Sequence, residues 1–443
     1  MVNKSYQKER KKSSKIEERF DLDNATLYGG ASTILDYING TGLKKEFQKA
    51  VSIDKRGDSI YKMEDQLTVM VAGRLIGLER LYHFSTIEED PLISMKLQLE
   101  KLPDYTILYK DLSRFETEEK VKSLEGVLWS YAWRCLKEQK HVILDIDSTV
   151  ETVYGEQEGV EVGYNPHKPG RGSLHPIVAF DGMSRVCLGG RLRRGKSYAA
   201  DGMCELYKEI KARLGSGCPI RYVRADRGFC GEDRLRFLES EPVGYVVKVK
   251  ATHRLVKAAG GRGFRRLYET GEELIEATSV KYRATSWKKA RRVVVIRKRP
   301  IEVEQGVLWE ELLWEYEAIV TNLDWDEEDI YRFYNQRANC ENMVKECKSG
   351  FGIDRISCDD FYPNYADLLI KLIAYNIFCA FKKEIFPKEK RWLTIGSVRR
   401  MFFLIPAILV RHARRWILRL SRKHPWKREW LQIRKNLMLI GYT

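Results

Sequence analysis

The chain has 443 residues, of which 44% are hydrophobic, and a formal net charge of +16. That length predicts two or three domains, and the apolar share is enough for an ordinary core. The longest apolar run, Met401 to Val410, is interrupted by Pro406 and too short to span a bilayer, which excludes a membrane-spanning helix.

The remaining bulk features point the same way. Neither end carries the basic, apolar and small-residue order of an export signal. The nine cysteines are scattered and form no CxxC pair, so reduced thiols in a cytoplasmic protein are expected rather than zinc or disulfides. The positive charge is concentrated in two places. From Lys388 onward, fifteen Lys and Arg face only Glu389 and Glu429, a net +13, and Lys281 to Pro300 holds nine Lys and Arg with no acid. Trp287, Trp416, Trp426 and Trp430 lie among these cations. Cations neutralise phosphates and indoles stack or wedge, so nucleic acid is the expected partner; a solvated face is the bland alternative.

In chain order, residues 1–20 are polar and lysine-rich and read as a disordered tail. Residues 21–135 read as helical. Leu67, Val71, Leu75, Leu78 and Leu81 fall near a 3.6-residue period, with breaks at Pro91 and Pro103. A small helix-turn-helix-type DNA-binding bundle fits this pattern, as does a scaffolding bundle. From His141 the chain becomes β-rich. VILDIDSTV is a strand, Leu174 to Leu192 holds two more around the turn at Asp181-Gly182, and Ala199 to Leu214 is a helix. Pro219 to Arg224 is a strand delivering Asp226, followed by helix Glu232 to Leu238 and strand Gly244 to Val249. This order predicts an α/β fold with a mixed, RNase H-like sheet over 136–350. Alternating β-branched segments make about 250–322 a β-rich insertion. A helix is expected from Asp326 to Ser349, and a helical, basic C-terminal region over 351–443 with helices at Tyr365 to Lys382 and Ile395 to Leu420.

Two chemistries compete for Asp145-Ile-Asp147-Ser-Thr149. The hhhDxDxT pattern matches haloacid-dehalogenase-type phosphatases, with Asp145 as nucleophile and Asp147 as its acid/base partner. It equally matches the first catalytic strand of an RNase H-like nuclease, in which one aspartate holds a metal ion. The phosphatase reading needs a later acidic pair, and Asp226 with Asp233 is spaced too widely for it. On the helix from Asp326, Tyr334, Arg337, Glu341 and Lys348 fall within an arc of about 60° at 100° per residue. That face suits a metal held beside a phosphodiester; a solvated face with spaced ion pairs is the alternative.

The Y-(2)-R-(3)-E-(6)-K spacing resembles the DDE transposases of bacterial insertion sequences in the Y-R-E-K group. Residues 145–176, 224–239 (RADRGFCGEDRLRFLE) and 334–352 (YNQRANCENMVKECKSGFG) are similar to successive motifs of the IS-thirteen-eighty family. This resemblance implies an RNase H-like core whose catalytic and metal-holding residues are Asp147, Asp226 and Glu341. It implies two Mg²⁺ ions per site, with Mn²⁺ as a substitute, and a protein that binds terminal inverted repeats and performs cut-and-paste transposition. It also implies a nucleoid-associated bacterial protein acting on double-stranded DNA as a homodimer in the DNA complex. Tyr334, Arg337, Lys348, Lys288, Lys289, Arg291 and Arg292 are then expected to grip DNA. Trp287, backed by Trp309 and Trp314, is expected to stack an extruded base, and Asp145 to orient a metal ligand or a nearby basic side chain. A non-catalytic domesticated transposase or a general RNase H-like nuclease remains open. His141, His167, His175 and His253 read as structural, Gly260 to Gly263 as a flexible turn, and the Gly163–Gly172 loop has no assigned role.

Overall fold

In the computed structural model, which describes residues 17–166, 168–269, 272–301 and 314–442, the chain is organised around a nine-stranded sheet. Its heart is β1 (Val142–Ser148), β2 (Ile177–Asp181), β3 (Cys187–Arg191), β4 (Ile220–Ala225) and β5 (Gly244–Val249), in the order β3-β2-β1-β4-β5. Neighbours β3/β2 and β2/β1 are antiparallel, whereas β1/β4 and β4/β5 are parallel. This is the RNase H-like order expected from the sequence. The tight turn at Asp181-Gly182 suffices for antiparallel neighbours, while the parallel ones need longer crossovers.

Four further strands extend the sheet past β5. They are β6 (Arg265–Glu269), β7 (Glu273–Tyr282), β8 (Arg291–Pro300) and β9 (Glu315–Thr321), all antiparallel, in the order β6-β7-β8-β9-β5. The β-rich insertion therefore prolongs the central sheet. Successive strand residues face opposite sides, and in β8 both sides are covered. Val293 and Val295 join the main core, while Val294 and Ile296 join a second cluster with Val246, Ile319 and Tyr331. Burial on both faces explains the unbroken β-branched run.

Helices surround the sheet: α1 (Met63–Ile76), α2 (Leu124–Leu136), α3 (Met203–Leu214), α4 (Glu232–Ser240), α5 (Glu327–Asn335), α6 (Ala338–Phe351), α7 (Phe361–Ile385) and α8 (Lys427–Leu439). α1 is buried nearly all round and stops at Gly77, whose φ of +115° favours glycine. α7 packs against α1, α2 and β3. Its Asn376 amide accepts from Cys187 N at 2.8 Å and donates to Cys187 O at 2.8 Å and Leu128 O at 3.2 Å, tying edge strand β3 to the helices. One buried cluster runs from the N-terminal helices through the sheet to Trp430, Ile433 and Leu437 of α8. The segments 21–135, 136–350 and 351–443 share that core.

Two sequence expectations are corrected. The single helix Asp326 to Ser349 is broken at Gln336-Arg337. The Arg337 N–H turns to the Tyr334 carbonyl at 2.8 Å, and the Phe333 carbonyl, its partner in a continuous helix, receives Arg224 Nη1 at 3.0 Å. A tertiary donor thus replaces a helical one. The helix expected over Ile395 to Leu420 shrinks to Ile395–Val398 and a wide turn, Arg399–Phe403. After Pro406 comes a hairpin of β10 (Ala407–His412) and β11 (Arg415–Leu420), joined at its base to the short strand Ala25–Thr26.

Candidate active site

The parallel register of β1 and β4 sets Asp145 opposite Arg224 and Ile146 opposite Ala225. Asp147 and Asp226 are the next residues along, so two aspartates lie at the same end of adjacent strands spaced ~4.8 Å apart. Asp226 then opens the short turn Arg227–Phe229. Glu341 comes from the first turn of α6, which packs on β1. Arg337, at the helix break and only 4% exposed, links the acids. Its Nη2 is 3.1 Å from Asp147 Oδ1 and its Nη1 is 3.2 Å from Glu341 Oε1. The Ser148 N–H donates to Asp147 Oδ1 at 2.9 Å, fixing that carboxylate.

The electrostatics place all four groups in one field. Burial pushes the Asp147 carboxyl up, Arg337 opposes it, and the Asp226 and Glu341 charges push it further up. Burial works against the Arg337 charge, yet Asp147 and Asp226 help to hold its pKa above the ordinary value. The Glu341 side chain is 68% exposed. Beside it opens a cleft of about 500 Å³ lined by Asp147, Ser148, Glu341, Lys345, Lys348 and Asp354. A larger cavity of about 720 Å³, bordered by Asn339, Asn342, Arg391 and Trp392, does not include Asp147, Asp226 or Glu341 in its wall.

Among the described residues, no three His, Cys, Asp or Glu side chains gather closely enough to cage an ion. The Arg337 guanidinium stands between Asp147 and Glu341 instead. In kind, the carboxylates of Asp147, Asp226 and Glu341 are the hard oxygen donors that suit a divalent cation such as Mg²⁺.

The sequence matches the family described as Transposase DDE domain group 1 across residues 8–441. The chain belongs to this family of DDE transposases. No curated protein matches it. Among solved structures, a cryo-EM structure of the piggyBac transposase synaptic complex with hairpin DNA aligns at a TM-score of 0.43 and 12% identity. The alignment covers 86% of this chain and 80% of that one, a likeness too distant to bear on the site.

In this transposase-family chain, Asp145 is buried completely. Arg224 Nε reaches its Oδ1 at 2.6 Å and Nη2 its Oδ2 at 2.7 Å, a bidentate pair. A nucleophilic carboxylate must reach its substrate, and both oxygens of this one are engaged, which disposes of the phosphatase alternative. Gly182 makes room for the pair, since a Cβ there would lie 2.2 Å from Arg224 Nη2. Arg224 was missed by sequence reading. It occupies the same place before Asp226 that Asp145 occupies before Asp147, a match that becomes visible only once β1 and β4 are paired.

The other expected DNA contacts separate into two groups. Lys348 lines the cleft. Tyr334 is buried, its ring packed in the second hydrophobic cluster with Lys248 Nζ 5.9 Å from the ring centroid, and it still feels the charges of Arg337, Asp226 and Glu341. Arg337 holds carboxylates and offers no face to solvent. In the 281–300 block, Arg291 pairs with Glu232 and Glu239, each at 2.7 Å, and Lys289 with Glu239 at 2.9 Å. Arg292 donates to the Leu323 and Trp325 carbonyls at 2.8 and 2.7 Å. Lys288 is exposed. Trp287 is 5% exposed in the main core, edge-on to Tyr282 and under Arg291, so it presents no open face to a base. Trp314 carries Arg297 and Arg299 over its ring. Trp309, His167 and residues 1–16 lie outside the described residues.

The residues read as structural have partners of that kind. His175 bonds Ser173 Oγ at 3.2 Å and its carbonyl accepts from Arg193 Nε at 2.7 Å. Arg193 Nη2 also reaches Ser148 Oγ at 2.7 Å, bracing the residue after Asp147. In the Gly163–Gly172 loop, Asn165 is buried and donates to Thr152 Oγ1 at 2.9 Å, which fastens the loop beside the strand end. Glu151 was also missed. It is buried, its Oε1 has no hydrogen-bond partner, and burial pushes its carboxyl up to about 8.

Proposed function

We propose that this chain binds the terminal inverted repeats of its own insertion sequence, cleaves DNA strands there, and joins the released ends to target DNA. The observation that supports the reading is that Asp147 and Asp226 follow register-paired residues at the same end of two adjacent parallel strands, while Arg337 pairs Asp147 with Glu341 of the helix packed on β1. In this proposal these carboxylates hold two Mg²⁺ ions, replaceable by Mn²⁺. Such ions, when bound, activate a water or 3′-hydroxyl and stabilise the leaving oxygen of a phosphodiester.

The remaining work falls to the chain's own groups. Arg337 opposes the upward push that burial gives the Asp147 carboxyl and restrains the largely exposed Glu341. The Ser148 N–H orients Asp147. Lys345 and Lys348 put two cations in the cleft wall, where a bound strand's phosphates would lie. No side chain serves as a covalent nucleophile, consistent with the burial of Asp145. A homodimer on DNA is part of the proposal, since two element ends require two such sites.

The test uses labelled DNA from the sequence flanking the reading frame. Asp226→Asn and Glu341→Gln should each abolish strand nicking, by at least about 10³-fold, while leaving duplex binding within a few-fold of the parent. Cleavage by the parent chain in excess chelator, or by either variant at the parent's rate, rules the mechanism out. A protein that nicks any duplex without preference for the flanking inverted repeats would instead be a general nuclease.

A further inference from the structure

The two basic blocks that look alike in sequence differ in what neutralises them. Across 281–300, Lys289, Arg291, Arg292, Arg297 and Lys298 are matched by Glu239, Glu232, Glu327, Glu276 and Glu317. Residues 407–428 contain eight Arg and Lys and no acid. Among the described residues, none of those eight forms an ion pair: Arg411, Arg414, Arg415, Arg419, Arg422, Lys423, Lys427 and Arg428 all remain exposed. No acidic side chain among the described residues supplies their counter-charge, which leaves them available to a polyanion.

The fold gives this charge a shape. The base of the β10–β11 hairpin is fixed: Ala25 and Thr26 pair with Ile408 and Ala407, Leu409 N bonds Asn24 O at 2.9 Å, and Gly29 N bonds Ile405 O at 3.0 Å. Gly29 lets this base close, because a Cβ there would stand 2.4 Å from the Ala407 Cβ. Ala407 and Leu409 are buried, whereas every residue from Arg411 to Ile417 is exposed. Opposed residues of an antiparallel pair share a face. Arg411 and Trp416 therefore project together, and His412 with Arg415 on the other side. Trp416 is 49% exposed. The two-residue tip, Ala413-Arg414, has φ of 47° and 61°, left-handed values that non-glycine residues disfavour but that a tight hairpin turn requires. Arg414 at the summit thus replaces the usual glycine with a cation.

From this we infer that the β10–β11 hairpin enters a groove of duplex DNA as a two-stranded ribbon, with Arg411, Arg414 and Arg415 on backbone phosphates and Trp416 against the groove wall. Six-residue strands give a ribbon about 20 Å long, and the B-form major groove, about 12 Å wide, admits such a ribbon. The inference rests on the DNA-processing reading above and adds to it the surface that takes hold of the duplex.

The experiment is a salt titration of binding to a short random-sequence duplex and to a duplex from the flanking repeats, using the full chain. In the triple variant Arg411→Gln/Arg414→Gln/Arg415→Gln, the slope of log K against log[salt] should fall by roughly 2–3, about 0.9 per lost phosphate contact. Binding at moderate salt should weaken at least tenfold on both duplexes. Trp416→Ala should weaken binding several-fold with the slope unchanged, since it removes no charge. Ala413→Gly relaxes the tip, keeps every charge, and should bind as the parent does. Unchanged slope and affinity in the triple variant, while the parent binds, overturns the hairpin assignment alone. A parent chain with no salt-dependent duplex binding overturns the DNA-processing reading beneath it. If the triple variant keeps its DNA affinity but sediments as a smaller species, the hairpin is a subunit contact and the inference fails.

Discussion

Asp145 and Asp147 are two residues apart on β1 and point to the same face, yet they meet different surroundings. Asp145 is wholly buried against Arg224, whereas Asp147 reaches the cleft and shares Arg337 with Glu341. Breaking a buried pair leaves an uncompensated charge, at a cost of about 3–5 kcal/mol. Asp145→Asn should therefore lower the urea midpoint markedly, and Asp147→Asn should eliminate nicking with little change in that midpoint. Equal unfolding midpoints for the two variants would contradict this division. Glu151 carries a second prediction. Burial raises its pKa to about 8; Lys371 and Lys348 oppose the rise, and Asp354 and Asp367 add to it. A carboxyl whose folded pKa exceeds its unfolded value, near 4.3, binds more protons in the native state. Its contribution is therefore present at low pH and is lost between the unfolded value and about 8. Glu151→Gln should raise the melting temperature at pH 9 relative to the parent more than at pH 5. An identical effect at both pH values would exclude the charge as the cause.

At the scale of elements, the sheet strands were legible because alternation and β-branched runs report burial directly, as in Gly244–Val249 and Glu315–Thr321. Of the proposed site acids, Asp147 and Asp226 were legible as acids at strand ends, and Glu341 as a helix residue. The break at Gln336-Arg337 was not, because it depends on Arg224 reaching the Phe333 carbonyl from more than a hundred residues away. That break, absent from a continuous helical wheel, changes the angle between Tyr334 and the residues from Arg337 onward. The insertion tryptophan is the other element-scale correction. Trp287 is surrounded by cations in sequence and packed into the core in space. Trp287→Ala should cost about 3–5 kcal/mol by the usual measure for large buried side chains, read by chemical unfolding. Binding per folded molecule should stay within a few-fold of the parent, and a binding loss without a stability loss would return Trp287 to the DNA surface.

The whole molecule is joined by the core that α8 completes. Trp430, Ile433 and Leu437 are buried, Trp430 Nε1 donates to Gly30 O at 3.1 Å, and Arg434 pairs with Asp36. Removing residues 427–443 would take those side chains away and uncover the core surface they bury, a loss of about 1.5–3 kcal/mol for each. The truncated chain should therefore melt at a lower temperature, with tryptophan fluorescence and far-ultraviolet circular dichroism changing together. An unchanged melting temperature would show α8 to be an appendage. What the sequence determined by itself were local and periodic properties: the strand and helix patterns, the acids at their spacings, and the total positive charge. Only tertiary structure decided where that charge is neutralised. Glutamates distant in sequence meet the 281–300 block across the sheet, and among the described residues none pairs with the cations of 407–428, because ion pairing depends on distance through space. It likewise decided which of two adjacent-looking aspartates is buried, since the register of β1 against β4 sets Asp145 opposite an arginine and leaves Asp147 at the open strand end.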